Sequence, residues 1–256
     1  MAAVSTMALV VLLAAVGDTF VVSDPSIVPD ARFAIAIAET APSDQPPFGW
    51  QTCSAVLVRP DLALTAAHCV DDRSGSLVVL VGLDDLCVPP GPSVARRSVI
   101  GIAVHPDHKV GTKEWDLAAL VLESTIPMAP LPLVDSGRNL EGVDVTAWTW
   151  TSAGRTIQGC GLRPARLAVT ADTACTGSAG TPFVFDPRSM ICAIPTTPGG
   201  GTCAGDSGGP LLIDAGDSQA TLVGLVSAGF GCGGTSPEIF ARVDTSTLGF
   251  LNSYLK

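Results

Sequence analysis

Gly205-Asp206-Ser207-Gly208-Gly209-Pro210 sets the reading of this chain. Three glycines around one serine let the backbone pass close to a substrate carbonyl, an arrangement that packing alone does not ask for. A nucleophilic serine needs a base to take its proton and donors for the oxyanion that then develops. The amides of Gly205 and Ser207 can serve as those donors. The competing reading of the same stretch is a tight glycine-rich turn with a solvated serine. What decides between them is whether a base and an acid stand elsewhere in the chain.

The stretch also satisfies G-x-S-x-G, the nucleophile elbow of α/β-hydrolases, in which the catalytic histidine follows the serine. All three histidines, His68, His105 and His108, lie upstream, so a lipase or esterase reading lacks its base. A subtilisin-like order would need the acid before His68, where no comparable acidic motif stands. His68 lies in Leu64-Thr65-Ala66-Ala67-His68-Cys69, an apolar strand end closed by a cysteine that can pin the ring. His105 and His108 lie in Ala103-Val104-His105-Pro106-Asp107-His108, which reads as a solvated surface turn. An i, i+3 pair without helical context is poor support for a metal site. Asp116 opens Asp116-Leu117-Ala118-Ala119-Leu120, an acid at the mouth of an apolar strand, where a buried carboxylate would hold an imidazole in one tautomer. Alone, such an aspartate reads as a turn residue or cap.

Outward from this constellation, 27 Gly and 20 Pro against 5% aromatic and 15% charged residues favour short strands joined by many turns, a sandwich or a barrel. Short apolar runs recur at Phe33 to Ala38, Ser54 to Val58, Leu77 to Val81, Val99 to Val104, Leu117 to Leu122, Val143 to Thr149, Leu167 to Thr170, Pro210 to Ile213 and Leu222 to Val226. Without helical spacing or a βαβ rhythm between them, the expected architecture is antiparallel β. Proline-rich Ile126 to Leu140 is the natural connection between two β halves. Near the end, Asp244 or Thr245 caps an expected helix in which Leu248, Leu251 and Leu255 form one apolar stripe.

The formal charge of −10 opposes nucleic acid and acidic membranes as partners. The apolar run Met7 to Val16 is too short to span a bilayer. It ends in the small residues of Ala15-Val16-Gly17, so residues 1–17 read as a signal peptide cut before Asp18, although no Lys or Arg precedes the run. Eight cysteines, none in a CxxC pair, behind such a leader read as four disulfides formed in an oxidising compartment. On the order of a hundred connectivities are open to them.

The order His, Asp, Ser in these flanking contexts resembles the chymotrypsin/trypsin-like serine protease family from about Cys53 to the C-terminus. The resemblance implies an all-β fold of two antiparallel six-stranded β-barrels with a C-terminal α-helix. It divides the chain into a short propeptide 18–26 and a peptidase domain 27–256, with an N-terminal barrel about 27–125 and a C-terminal barrel about 141–256. It makes His68 general base and acid, Asp116 its orienter, Ser207 the nucleophile, and Gly205 with Ser207 the oxyanion hole. Ser227 matches the serine that supports the acid, on the strand that pairs with substrate backbone. Family matches pair Cys53 with Cys69, Cys175 with Cys192 and Cys203 with Cys232, leaving Cys87 with Cys160, on loops that neighbour each other in this fold. No metal or cofactor is implied. Asp84 and Asp85 fall in a loop where some members bind calcium, but two adjacent carboxylates are weak support for a site.

The resemblance also places a specificity pocket, with Gly201 at its floor, Gly229 on its wall and Glu238 near its base. Trypsin-like members carry Asp where this chain has Gly201. A partly buried Glu238 would attract Lys or Arg while the open floor would admit an aromatic ring, so the expected preference is mixed, basic or large apolar. The pattern departs elsewhere too. Active members begin Ile-Val-Gly-Gly, and the released amino group pairs with the aspartate beside the nucleophile, here Asp206. This chain offers Ile27-Val28-Pro29-Asp30, so either maturation after Ser26 still works or Asp206 finds another partner. Ala228 replaces a usual aromatic, and Ala147 and Thr149 replace usual glycines. The reading is a secreted, monomeric serine endopeptidase acting on proteins or peptides and open to protein inhibitors. Its rival is a catalytically inactive homologue that serves as a binding module.

Overall fold

The computed structural model describes residues 34–39, 46–47, 50–71, 73, 76–151, 158–176, 184–214, 220–229, 232 and 234–254. The leader, Ile27 and Leu255 lie outside these ranges. The described strands close into two antiparallel barrels. The first contains β1 (Ala34–Glu39), β2 (Gln51–Arg59), β3 (Leu62–Thr65), β4 (Leu77–Val81), β5 (Ala95–Val104) and β6 (Ala118–Leu122), in the order β1-β2-β3-β6-β5-β4. The second contains β7 (Asp144–Thr151), β8 (Gln158–Val169), β9 (Met190–Pro195), β10 (Pro210–Ile213), β11 (Thr221–Ala228) and β12 (Glu238–Arg242), in the order β10-β11-β12-β9-β8-β7. Closure leaves no strand edge unpaired, which suits runs as apolar as these.

Three apolar clusters account for the architecture. Ile35, Ile37, Leu57, Val79 and Leu120 fill the first barrel, and Leu167, Ile191, Val223 and Phe240 fill the second. The third cluster lies between them. Leu62 and Leu64 of β3 meet Leu212, Leu222 and Leu225 of β10 and β11, together with Phe250 and Leu251. Burying each such side chain stabilises by roughly 1.5 to 3 kcal/mol, so this shared cluster fixes one barrel against the other. The connection 126–140 docks on both, because Leu131 N–H donates to Leu57 O of β2 while Leu222 N–H of β11 donates to Pro132 O.

α1 (Thr247–Tyr254) follows Asp244, whose carboxylate accepts the Ser246 N–H at 2.8 Å. Leu251 is buried as the spacing predicts, and Phe250 joins it against the inter-barrel cluster. Three strands carried no legible run. β3, four residues long, was signalled only as the strand end before His68; β9 carries only six residues; and β12 is a three-residue apolar run bounded by Glu238 and Arg242. Bridges join Cys53 to Cys69, Cys87 to Cys160, Cys175 to Cys192 and Cys203 to Cys232. Cys87–Cys160 crosses from one barrel to the other. Beside it Leu86 N–H donates to Cys160 O at 2.8 Å and Leu162 N–H to Asp84 O at 2.9 Å.

Candidate active site

β3 ends at Thr65, and the chain then makes a single 3-10 turn, Ala67–Cys69, that carries His68. The strand end expected for this residue is therefore corrected to a turn just beyond it. Cys69 ties the turn to β2 through Cys53. Asp116 comes from the loop before β6 and is fully buried. Its Oδ1 accepts the His68 backbone N–H at 2.9 Å, and its Oδ2 lies 2.7 Å from His68 Nδ1. The Ser227 hydroxyl of β11 donates to the same Oδ2 at 2.5 Å, and Lys113 Nζ lies 3.6 Å from it.

Burial pushes the Asp116 carboxyl upward. The hydrogen bond and charge of His68, the Lys113 ammonium and the Ser227 hydroxyl outweigh it, and hold the group below the usual carboxylate range. An ionised Asp116 makes Nδ1 the donor and leaves Nε2 as the acceptor facing the cleft.

Ser207 sits on a loop wedged against the same turn. Its carbonyl accepts the Ser54 N–H at 2.7 Å. A Cβ on Gly208 would come within 2.2 Å of Ser54 O and 2.9 Å of Ala66 N, and its φ is +83°, so only glycine lets the loop press this close to His68. Gly205, at φ +91°, has its carbonyl fixed by Gln51 Nε2 at 2.6 Å and Ser54 Oγ at 2.9 Å. Asp206 is fully buried; Oδ1 accepts the Trp150 N–H at 2.6 Å and Oδ2 the Cys203 N–H at 2.8 Å. Arg163 approaches it from β8. Burial lowers that guanidinium's pKa, and the charge of Asp206 opposes the effect.

Beside Ser207 opens a cavity of about 170 Å³, lined by Thr202, Val226, Ser227, Gly229 and the Cys203–Cys232 pair. That is room for one side chain rather than a whole ligand. Glu238 reaches this region from β12 and is only 2% exposed. Oε1 accepts the Thr202 N–H and Oε2 the Thr202 hydroxyl, both at 2.9 Å. A Cβ on Gly201 would lie 2.3 Å from Glu238 Oε1, so the glutamate already fills the space that a side chain at position 201 would need. Burial raises Glu238 to about 7, against the two Thr202 hydrogen bonds and with a small contribution from Asp206.

Two readings of the sequence are corrected here. His108 is not solvated: its side chain is 2% exposed, with Nε2 3.0 Å from Asp71 Oδ2 and Nδ1 3.1 Å from Glu114 O. His105 stacks on Trp115 with ring centroids 4.5 Å apart. The cause is tertiary, since the 105–115 loop folds back over the turn that follows His68. Lys113, Thr202 and Asp71 escaped notice for a similar reason. Only Lys113, three residues before Asp116, carried any signal, an i, i+3 charge pair outside a helix. Asp85 closes a local turn by accepting the Cys87 N–H at 2.7 Å.

Comparison with known proteins identifies the family. The family model described as Trypsin matches residues 40–248. A trypsin of Saccharopolyspora erythraea is 32% identical over 77% of this chain and 84% of its own length. Trypsin-1 of Astacus astacus is 32% identical over 77% and 87%. Glucanase inhibitor protein 2 of Phytophthora sojae is 30% identical over 90% and 78%.

Proposed function

Because the chain belongs to the trypsin family and is by that kinship a serine endopeptidase, we propose that His68, Asp116 and Ser207 are its catalytic triad. The observation that carries this reading is the hydrogen-bonded series Ser227, Asp116, His68, set beside the loop of Ser207. Ser207 Oγ attacks the scissile carbonyl as His68 Nε2 takes its proton, and ionised Asp116 stabilises the imidazolium that results. The Gly205 and Ser207 amides hold the oxyanion, each worth about 10²-fold or more in kcat. The intermediate collapses as His68 returns the proton to the leaving amine, which leaves an acyl-enzyme on Ser207. Water, deprotonated by the same histidine, then releases the acid.

Glu238 takes over the role of a floor carboxylate at position 201, where its own oxygen occupies the space a side chain would need. Its charge favours Lys or Arg, while its protonated form and the apolar walls accept a large apolar side chain, which is the mixed preference expected from sequence. A panel of fluorogenic peptides tests this, and cleavage confined to small or acidic residues would contradict it. Four disulfides and the apolar leader support secretion, with a soluble monomer meeting protein substrates and inhibitors outside the cell. Activity is expected when residues 18–26 are released, read by N-terminal sequencing of the secreted product alongside hydrolysis. Hydrolysis by a chain that still begins at Asp18 would show instead that Asp206 is balanced within the fold. The relative named as a glucanase inhibitor keeps a second reading in view, a binding module, which a catalytically silent mature protein would favour.

A further inference from the structure

The base and the acid reach each other from two separate loops, and the ring of His108 lies between those loops. Asp71 is on the turn that carries His68, its N–H donating to Ala67 O at 3.1 Å, so its carboxylate moves with the base. Glu114 contributes its carbonyl from the loop that carries Asp116. Between Glu114 and Asp116 stands Trp115, at φ +51°, the one non-glycine in the left-handed region among the described residues. Such a backbone is strained and persists only where its surroundings enforce it. The enforcing contacts are the His105 ring stacked on Trp115 and the His108 ring on the Glu114 carbonyl.

His68 in turn needs two bonds to Asp116 at 2.9 and 2.7 Å, a tolerance of a few tenths of an ångström. We propose that His108, acting through Asp71, is a positioning residue that sets the separation between the turn bearing His68 and the loop bearing Asp116. It touches no reacting atom. Nδ1 donates to a carbonyl of the acid's loop, Nε2 meets a carboxylate of the base's turn, and the rigid five-membered ring fixes the span between them. The inference rests on the triad reading above.

An amide can stand in for either nitrogen alone, which supplies the test. In His108→Asn the side-chain amide sits where Nδ1 was, so the Glu114 contact survives and the link to Asp71 is lost. In His108→Gln the amide reaches the place of Nε2, so the contact with Asp71 is kept. Kinetics are normalised to Ser207 sites titrated with a fluorophosphonate, which removes any contribution from unfolded protein. Because each variant keeps only one end of the span, both His108→Asn and His108→Gln are expected to lose about tenfold or more in kcat at unchanged KM. On the same samples, the downfield NMR proton of the His68 Nδ1–H···Asp116 bond is expected to shift or broaden in both variants. Unchanged kcat per titrated site and an unchanged downfield proton in both variants would overturn the proposal. The NMR comparison needs no turnover, so a parent protein that fails to label at Ser207 overturns the enzyme reading while this signal still decides the role of His108.

Discussion

Beside the cleft the first barrel buries Asp116 and the second, besides Asp206, buries Glu238, and Asp116 and Glu238 are treated in opposite ways. Asp116, from the first barrel, receives donors from His68 and Ser227 and the charge of Lys113, and is held ionised. Glu238, from the second, receives donors from Thr202 alone, and burial carries it to about 7. Burial is the largest influence on both, so the number and charge of the partners decide the outcome. The contrast matches two tasks. In the proposed reading a triad acid must stay charged throughout turnover, whereas a pocket carboxylate only has to meet an incoming side chain.

The contrast breaks most severely at Asp116. Asp116→Asn keeps the shape of the site but offers Nδ1 the wrong partner, and kcat is expected to fall by about 10⁴-fold, measured per folded molecule on a fluorogenic peptide. A fall of less than about tenfold would mean that His68 is oriented by something else.

Next in size is the link between the barrels. Serine at both Cys87 and Cys160 opens a crosslink spanning 73 residues, with an expected loss of about 4 kcal/mol in denaturant unfolding. A loss confined to one barrel's transition would show that the two do not unfold together.

Glu238→Gln sharpens the comparison from the other side. Between the ordinary carboxylate value of 4.5 and about 7, the folded protein keeps a proton that the unfolded chain releases. The stabilisation is therefore complete below that window and lost as pH rises through it, at a cost approaching about 3 kcal/mol above it. The Gln variant is expected to match the parent in acid and to exceed it in melting temperature in mild alkali. The parent's preference for basic over apolar peptides should also grow as pH rises through about 7, and the variant's should stay flat.

The smallest change is expected at Lys113. Its 3.6 Å contact with buried Asp116 is longer than a hydrogen bond and is only one of several donors and charges there, so Lys113→Met should lower kcat by less than about threefold. Because Asp116 is held low, the stability it contributes is present at neutral pH and lost as pH falls. Without Lys113, acid unfolding should begin at higher pH.

Much of this was legible in the chain. The glycines around Ser207 and the chain order of His68, Asp116 and Ser207 carried the proposed chemistry, because a close backbone approach and a three-part proton relay leave few residue choices. Short apolar runs separated by turn residues announced the β architecture. What stayed hidden was what depends on distant segments folding together. Glu238 could have pointed to solvent until the Cβ space at Gly201 showed where its carboxylate sits. His108 looked like a surface residue because nothing near it in sequence reveals Asp71. β12 was masked by Glu238 and Arg242, the charged residues at its two ends.

The central claim is that an imidazole oriented by Asp116 activates Ser207. Its most direct measurement is the rate and site of fluorophosphonate labelling on the mature protein, read by intact mass and peptide mapping. The account predicts one adduct per chain, on Ser207, forming far more slowly in Asp116→Asn. No adduct, an adduct on another residue, or equal rates in the two proteins would contradict it.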